Sequence, residues 1–510
     1  CKTCSKSGFA LMIENFLAGT AALFGDPVTI LIFVFGVIGG MLFGAIPGVS
    51  MLTLAAILLP FSAGLEPAQG VMLFAVIYCT GTYGGAITAI LFNIPGAPEN
   101  APTAFDGYPM TKQGRAGKAV GAAVLCSAIG GTASALLMMA ATEPLAKWAI
   151  RNIGPPEIFA LVFFGLAVAS SVGGNTIWKG WMSVLLGLLV ATVGQDPVGG
   201  INRYNFGLTD LAAGIAFVPA ILGFFAVSEI FIQAEKRAFG KYNAPKLDVN
   251  FPTFLELWRY KIAVVRSILV GFFCGILPGI GATLAAFMGY GEAVRWSKDK
   301  ESFGKGNLEG VISSETANNA ATGAAMIPLL ALGLPGGALT AIMVAVFQFH
   351  DMEPGPLVFY NSPELIWVVF AAMFYANVSI LFIGLIETKT ILQLLRIPFH
   401  FLAPMILMLA SIGSYIGRGL VLDVMVMFLA GMIGFLLRRS GYSIPGIVLG
   451  IILGKIGEQN FAQGMQMVHY DLVTYLSRPI CLILIIAGAI TLGAGVYKAL
   501  ASNRVGAKQG

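Results

Sequence analysis

The 510 residues predict an all-α, polytopic membrane protein of about ten to fourteen segments, with two internal structural repeats and with broken helices or re-entrant hairpins. Three observations predict it. The chain is 57% hydrophobic and only 11% charged, with a mean hydropathy of +0.84, so it lacks the polar residues to cover a soluble surface. Its apolar runs are interrupted by many of its 64 glycines and 25 prolines. And G-x-x-x-G-x-x-P-G occurs twice inside such runs, at Gly40, Gly44, Pro47, Gly48 and at Gly271, Gly275, Pro278, Gly279. Helix breaks repeated in two copies of one hydrophobic unit are the mark of a secondary transporter.

Runs long enough to span a bilayer, about 20 residues each, lie at 28–46, 68–92, 116–140, 211–233, 262–277, 364–386 and 478–497. Shorter or interrupted runs lie at 49–64, 157–172, 178–194, 280–290, 320–347, 402–416, 419–437 and 443–456. Irregular backbone at membrane depth is stable only where protein or a water-filled cavity satisfies it, so the breaks point to an internal site.

The net charge of +5 is small for this length and gives nucleic-acid binding no support. Lys236, Arg237, Lys241, Lys246, Arg259, Lys261 and Arg266 crowd one polar stretch, which the positive-inside rule places in the cytoplasm. Arg295, Lys298, Lys300 and Lys305 follow one broken apolar run later. With both clusters on one side, residues 267–290 enter and return, turning at Pro278-Gly279; the alternative is a single kinked crossing. Cys79, Cys126, Cys274 and Cys481 sit in apolar runs and read as small hydrophobes. Cys1 and Cys4 have no second pair or His cluster to complete a ligand set and read as an inconsequential tail. No cleavable signal peptide is expected, because residues 9–24 run straight into the first span.

Three blocks recur in order. Gly40 to Gly48 matches Gly271 to Gly279 at an offset of 231; Thr82, Ile87, Pro95, Gly96 matches Thr322, Ile327, Pro335, Gly336 at 240; Ala167, Ser171, Gly174, Met182 matches Ala410, Ser414, Gly417, Met425 at 243. The expected organisation is an N-terminal tail or amphipathic segment (1–26), a first repeat (27–235), a basic linker (236–261), a second repeat (262–500) and a C-terminal tail (501–510). An odd number of crossings per repeat makes the pair inverted, which is the expectation, and an even number makes it parallel. No soluble stretch is large enough for an enzyme module.

The first polar island runs from Asn93 to Pro109. A helix from residue 68 must end near Asn93, because Pro95 has no amide proton and disfavours helix in the residue before it. Unwound backbone there exposes carbonyls suited to a cation and, at the next helix start, amides suited to a carboxylate; an ordinary solvent loop is the other reading. The second island, Ser313 to Gly323, leads to Leu334-Pro335-Gly336-Gly337. Asn318, Asn319 and Thr322 lie within little more than one turn, so they either line a cavity wall or hold helices together by hydrogen bonds. Glu315 reads as a proton carrier or cation ligand, or as a cap at the membrane edge beside Glu309. Lys179 and Arg418 read as interfacial, and His350, His400 and His469 lack ligand spacing. Neither a nucleophile elbow nor a phosphate loop is present, which argues against hydrolase chemistry and nucleotide-driven transport.

Gly44-Ala45-Ile46-Pro47-Gly48, Tyr83-Gly84-Gly85 through Asn93-Ile94-Pro95-Gly96, Phe105-Asp106-Gly107-Tyr108-Pro109-Met110, Glu315 through Gly323, and Leu332-Gly333-Leu334-Pro335-Gly336 resemble the large membrane subunit of tripartite tricarboxylate transporters, over about residues 27–490. The resemblance implies a multi-pass permease of the bacterial inner membrane that works with a small four-helix membrane subunit and a periplasmic substrate-binding protein. It implies symport of citrate or another carboxylate with Na+ or H+, no other cofactor, and alternating access of an elevator-like kind. Carried over, the substrate-binding tips are Pro47-Gly48, Pro95-Gly96 with Asn93, Pro278-Gly279 and Pro335-Gly336, with Glu315, Asn318, Asn319 and Thr322 as the cation-coupling set. This chain departs from the family in carrying Glu99-Asn100-Ala101-Pro102-Thr103 where small residues and Ser-Val-Ala-Thr are usual, which adds a negative charge near the proposed anion site. It also has Gly323-Ala324-Ala325 where Gly-Gly-Ala is common. A stand-alone carboxylate permease or channel without partners is the rival reading; a membrane-embedded enzyme would need a cluster of ionisable residues at one depth.

Overall fold

The computed structural model describes residues 8–46, 50–172, 176–196, 199–235, 251–277, 281–394 and 399–506. In the first half α1 (Gly8–Gly25), α2 (Pro27–Ala45), α3 (Met51–Ser62) and α4 (Pro67–Phe92) precede a break, after which come α5 (Ala101–Lys112), α6 (Ala116–Asn152), α7 (Pro155–Val172) and α8 (Ile177–Ala191). A short antiparallel hairpin, β1 (Gly194–Gln195) with β2 (Asn202–Arg203), leads to α9 (Phe217–Glu235), which has a π-type segment at Leu222–Val227. The second half holds α10 (Phe254–Trp258), α11 (Lys261–Ile276), α12 (Gly281–Trp296), α13 (Leu308–Leu332), α14 (Ala338–Phe349), α15 (Val358–Asn361) and α16 (Pro363–Leu394). It ends with α17 (Phe399–Ile416), α18 (Val421–Arg439), α19 (Ile444–Met467), α20 (Leu472–Ser477) and α21 (Pro479–Gly506). Among the described residues, seven helices are long and apolar enough to cross a membrane and six apolar helices are shorter, so the chain is an all-α, multi-pass membrane protein.

α4 and α13 form the centre. The apolar window of α4 is buried throughout, and α13 is buried from Gly310 to Ala331 although it carries Ser313, Ser314, Glu315, Thr316, Asn318 and Asn319. Such a sequence could not face lipid; protein on all sides supplies its polar partners. Small residues bring the backbones close. A Cβ on Gly44 would stand 2.3 Å from the carbonyl oxygen of Gly81, and one on Gly271 would stand 2.2 Å from that of Ala317. Gly275 lies against Ala321, as Gly44 lies against Gly81, and Gly336 lies against Ala325, as Gly96 lies against Gly85.

The two central helices also end alike. Asn93 closes α4 at φ 58° and Gly333 closes α13 at φ 75°, both left-handed, the conformation that Gly adopts freely and Asn tolerates. Pro95 and Pro335 follow and keep the chain from resuming a helix.

α11 and α12 form an antiparallel hairpin rather than one kinked crossing. Their far ends meet, since Arg266 Nη1 donates to the Glu292 carbonyl at 3.2 Å and its guanidinium lies 5.7 Å from the Trp296 ring centre. Asp106 anchors the start of α13: its Oδ1 accepts from the amides of Gly306 (2.9 Å) and Asn307 (2.8 Å), and its Oδ2 from Tyr290 Oη (2.9 Å). The Phe105-Asp106-Gly107 motif is thus a strap between halves. Of residues 1–26, expected as a tail or amphipathic segment, Gly8–Gly25 form a helix packed on α16, with Phe16 edge-on to Phe374 at 5.4 Å. Cys79, Cys126, Cys274 and Cys481 are buried free thiols, whereas Cys1, Cys4 and the linker cations Lys236, Arg237, Lys241 and Lys246 lie outside the described residues.

Candidate functional site

A cavity of about 700 Å³ lies where the breaks converge. Among the described residues five helix beginnings reach it: Ser50 and Met51 at α3, Pro98 and Glu99 in the turn that runs into α5, Gly281 and Ala282 at α12, Gly337 and Ala338 at α14, and Ser443 and Ile444 at α19. A helix start carries roughly half a positive charge from its free amides, so these starts around one space create a field suited to an anion. Tyr78 and Thr283 add hydroxyls from the core side. On the opposite side Arg438 of α18 and Glu229 of α9 line the cavity, with Tyr442 and Ser443 of the turn before α19. Arg438 donates to Glu229 Oε2 and reaches the Phe224 carbonyl at 3.4 Å; Gln233 Nε2 donates to Glu229 Oε1 at 2.8 Å. Among the described residues the only full positive charge on the lining, Arg438, is therefore held in place by a carboxylate.

Glu99 is 7% exposed, and its Oε2 accepts from Thr283 Oγ1 at 3.5 Å. Among the described residues it forms no ion pair. Its backbone carbonyl accepts from Asn318 Nδ2 at 3.4 Å, which ties the cavity wall to α13 behind it.

Behind that wall lies a fully enclosed polar cluster. Glu315 is 0% exposed; Thr103 donates to its Oε1, Ser127 Oγ to its Oε2 at 3.0 Å, and Asn319 Nδ2 to its Oε2 at 3.5 Å. Thr103 and Ser314 hydroxyls are 3.0 Å apart. Asn100 Nδ2 donates to the Thr82 carbonyl at 2.9 Å, and the Oδ1 atoms of Asn100, Asn318 and Asn319 are buried without a partner among the described residues. A buried amide oxygen left unpaired costs roughly 1–3 kcal/mol, so these three acceptors mark a place where a cation or a donor is wanted.

Glu315 is therefore not a cap at the membrane edge. It sits two turns into α13 with Thr103 of α5 and Ser127 of α6 packed over it. Asn318, Asn319 and Thr322 do not line the cavity; Asn318 touches it through Glu99, and Thr322 Oγ1 turns back to the Asn319 carbonyl at 2.8 Å. Of the expected substrate residues Gly96 lines the cavity, and Pro335 and Gly336 adjoin its lining residue Gly337. Pro95 precedes Gly96, and Asn93 is an exposed cap. Pro47, Gly48, Pro278 and Gly279 lie outside the described residues; their neighbours Ser50 and Gly281 are on the cavity. Sequence reasoning passed over Arg438 and Glu229. The signal was available in Glu229, a carboxylate inside the apolar run 211–233, where an acid is functional by default.

Broken helices closing on an internal cavity that holds Glu99, Glu229 and Arg438 define a membrane transport protein. The chain belongs to the tripartite tricarboxylate transporter TctA family, whose model matches residues 30–449. It is 35% identical over 485 residues to the 52.8 kDa protein in the TAR-I ttuC' 3' region of Agrobacterium vitis, covering 94% of this chain and 95% of that one. A second protein of the same organism, in the TAR-II ttuC' 3' region, is 32% identical over 234 residues, 46% of this chain and 97% of its own length. No solved structure matches the chain.

Proposed function

We propose that the chain is the large permease subunit of a binding-protein-dependent secondary transporter of the inner membrane, importing citrate or another carboxylate by symport with Na+ or H+. The convergence of five helix starts on one cavity of about 700 Å³ carries the reading, because their amides supply positive potential at a depth where a free anion would otherwise be expelled, with Arg438 held opposite them by Glu229. In this reading the periplasmic binding protein delivers the carboxylate and the small four-helix subunit completes the membrane complex. The first-turn amides of α12 and α14, after Gly281 and Gly337, hold the substrate beside Gly96, together with the tips Pro47-Gly48, Pro278-Gly279 and Pro335-Gly336. Glu315, Asn318, Asn319 and Thr322, joined by Asn100, hold the coupling cation behind it. A cation bound first lowers the cost of bringing the anion into low dielectric.

The repeat organisation supports alternating access. Packing partners recur at the offsets the motifs predict, Gly44 with Gly81 and Gly275 with Ala321. Two similar halves around one site can exchange roles when one moves, as in an elevator.

The test is uptake of radiolabelled citrate into vesicles holding this chain, its small partner and its binding protein, with and without an imposed sodium gradient. Accumulation that needs sodium supports both assignments. Accumulation driven by a proton gradient alone moves the coupling ion, and none for any carboxylate overturns the reading.

A further inference from the structure

A second cavity, about 650 Å³, lies at the base of the α11–α12 hairpin, bounded by the starts of α6, α11 and α13 and the end of α12. Five cations line it, Arg115, Lys118, Arg259, Arg266 and Lys298, against two acids, Asp299 and Glu309, a net lining charge of +3 from five minus two. Three of the cations are engaged: Lys118 with Glu256 at 2.8 Å, Arg115 with Gln113 Oε1 at 3.1 Å, and Arg266 with Glu292 and Trp296. Arg259 and Lys298 form no ion pair among the described residues.

The surroundings are apolar and open. Trp258 is 57% exposed, Ile262 71% and Trp296 64%. Trp258 and Trp296 stand at the open base of the α11–α12 hairpin; tryptophans favour the level of the lipid headgroups, and cationic pockets between helices at that level suit anionic headgroups. A guanidinium presents a planar fork that matches two phosphate oxygens, and an ammonium beside it supplies a point charge.

We propose that this cavity binds the phosphate of an anionic phospholipid, with Arg259 and Lys298 as its direct ligands and Trp258, Ile262 and Trp296 against the lipid's glycerol and upper chains. Nothing in the transport reading requires this site. Its occupant joins the two arms of the hairpin at their base, while the opposite end of α12, Gly281 to Thr283, lines the transport cavity. Lipid bound here therefore fixes the arm that presents those residues.

The experiment is native mass spectrometry of the purified full chain released from detergent containing phosphatidylglycerol, phosphatidylcholine or inorganic phosphate. The wild type is expected to keep one phosphatidylglycerol and no phosphatidylcholine. Each cation near an anionic lipid is worth about five-fold in affinity, so Arg259→Gln with Lys298→Gln should lower retention about 25-fold. The charge-keeping pair Arg259→Lys with Lys298→Arg should retain lipid, which separates loss of the site from loss of fold. Lys147→Gln, which removes an exposed cation on the far end of α6, should change nothing. Equal retention in the double variant, an equal loss in Lys147→Gln, or displacement of the lipid by millimolar phosphate would each overturn the proposal.

Discussion

Arg438 donates to Glu229 across the wall of the central cavity, joining α18 to α9. The pair leaves that wall nearly neutral, and under the proposed function a substrate carboxylate has to compete with Glu229 for the guanidinium. A free arginine would bind any passing anion; one already held by an acid binds only an anion that the rest of the cavity also fits.

Arg438→Gln tests this directly. It removes the cation and leaves Glu229 without its ion pair, held by Gln233 alone, so KM for carboxylate uptake should rise at least about 30-fold, roughly 2 kcal/mol. Glu229→Gln should do the opposite, lowering KM and broadening the range of anions taken up. Initial-rate uptake in vesicles measures both, and unchanged KM in Arg438→Gln would remove the pair from the substrate path.

Glu99 places a buried carboxyl, with no ion pair among the described residues, beside helix starts that otherwise favour anions. Glu99→Gln should raise the ratio of trianion to dianion uptake by about ten-fold, the effect of roughly one charge at a few ångströms in a medium of intermediate dielectric. Competition between citrate and a dicarboxylate for a labelled substrate reads the ratio.

Glu315→Gln keeps the shape of the polar cluster and removes its charge. Uptake in that variant should lose its dependence on the cation gradient while equilibrium exchange of substrate across the membrane survives. Glu315→Leu leaves Ser127 without its acceptor, takes one of two partners from Thr103 and Asn319, and should destabilise the fold by about 3 kcal/mol, seen as a lower thermal midpoint in detergent. Coupling that stays intact in Glu315→Gln would move the cation site elsewhere.

Asp106→Ala removes the acceptor for two amides and one tyrosine hydroxyl at the start of α13. A cap of this kind is worth about 1–2 kcal/mol and the buried donors left behind add to it. Thermal unfolding should shift downward while the relative rates for different carboxylates stay the same, because Asp106 does not line the cavity.

The breaks were legible because proline chemistry is local: Pro95 and Pro335 cannot continue a helix whatever surrounds them. The close helix contacts were legible for a similar reason, since Gly44 and Gly275 announce a missing side chain. What the sequence withheld were pairings set by the fold. Arg438 and Glu229 are 209 residues apart, and Asp106 reaches amides 200 and 201 residues away. Nothing in either neighbourhood names the other. Asn318 and Asn319 were recognised as polar residues in an apolar setting, but neighbours on a helix point about 100° apart, and only the packing of α5 and α6 decides which reaches the cavity wall.

Glu315 has no surface that water can reach, and α5, α6 and α13 would have to part before it could gain or lose a proton or an ion. Its charge state is in that sense a stored record of the last opening. The rate at which it exchanges with solvent measures how often the closed protein breathes.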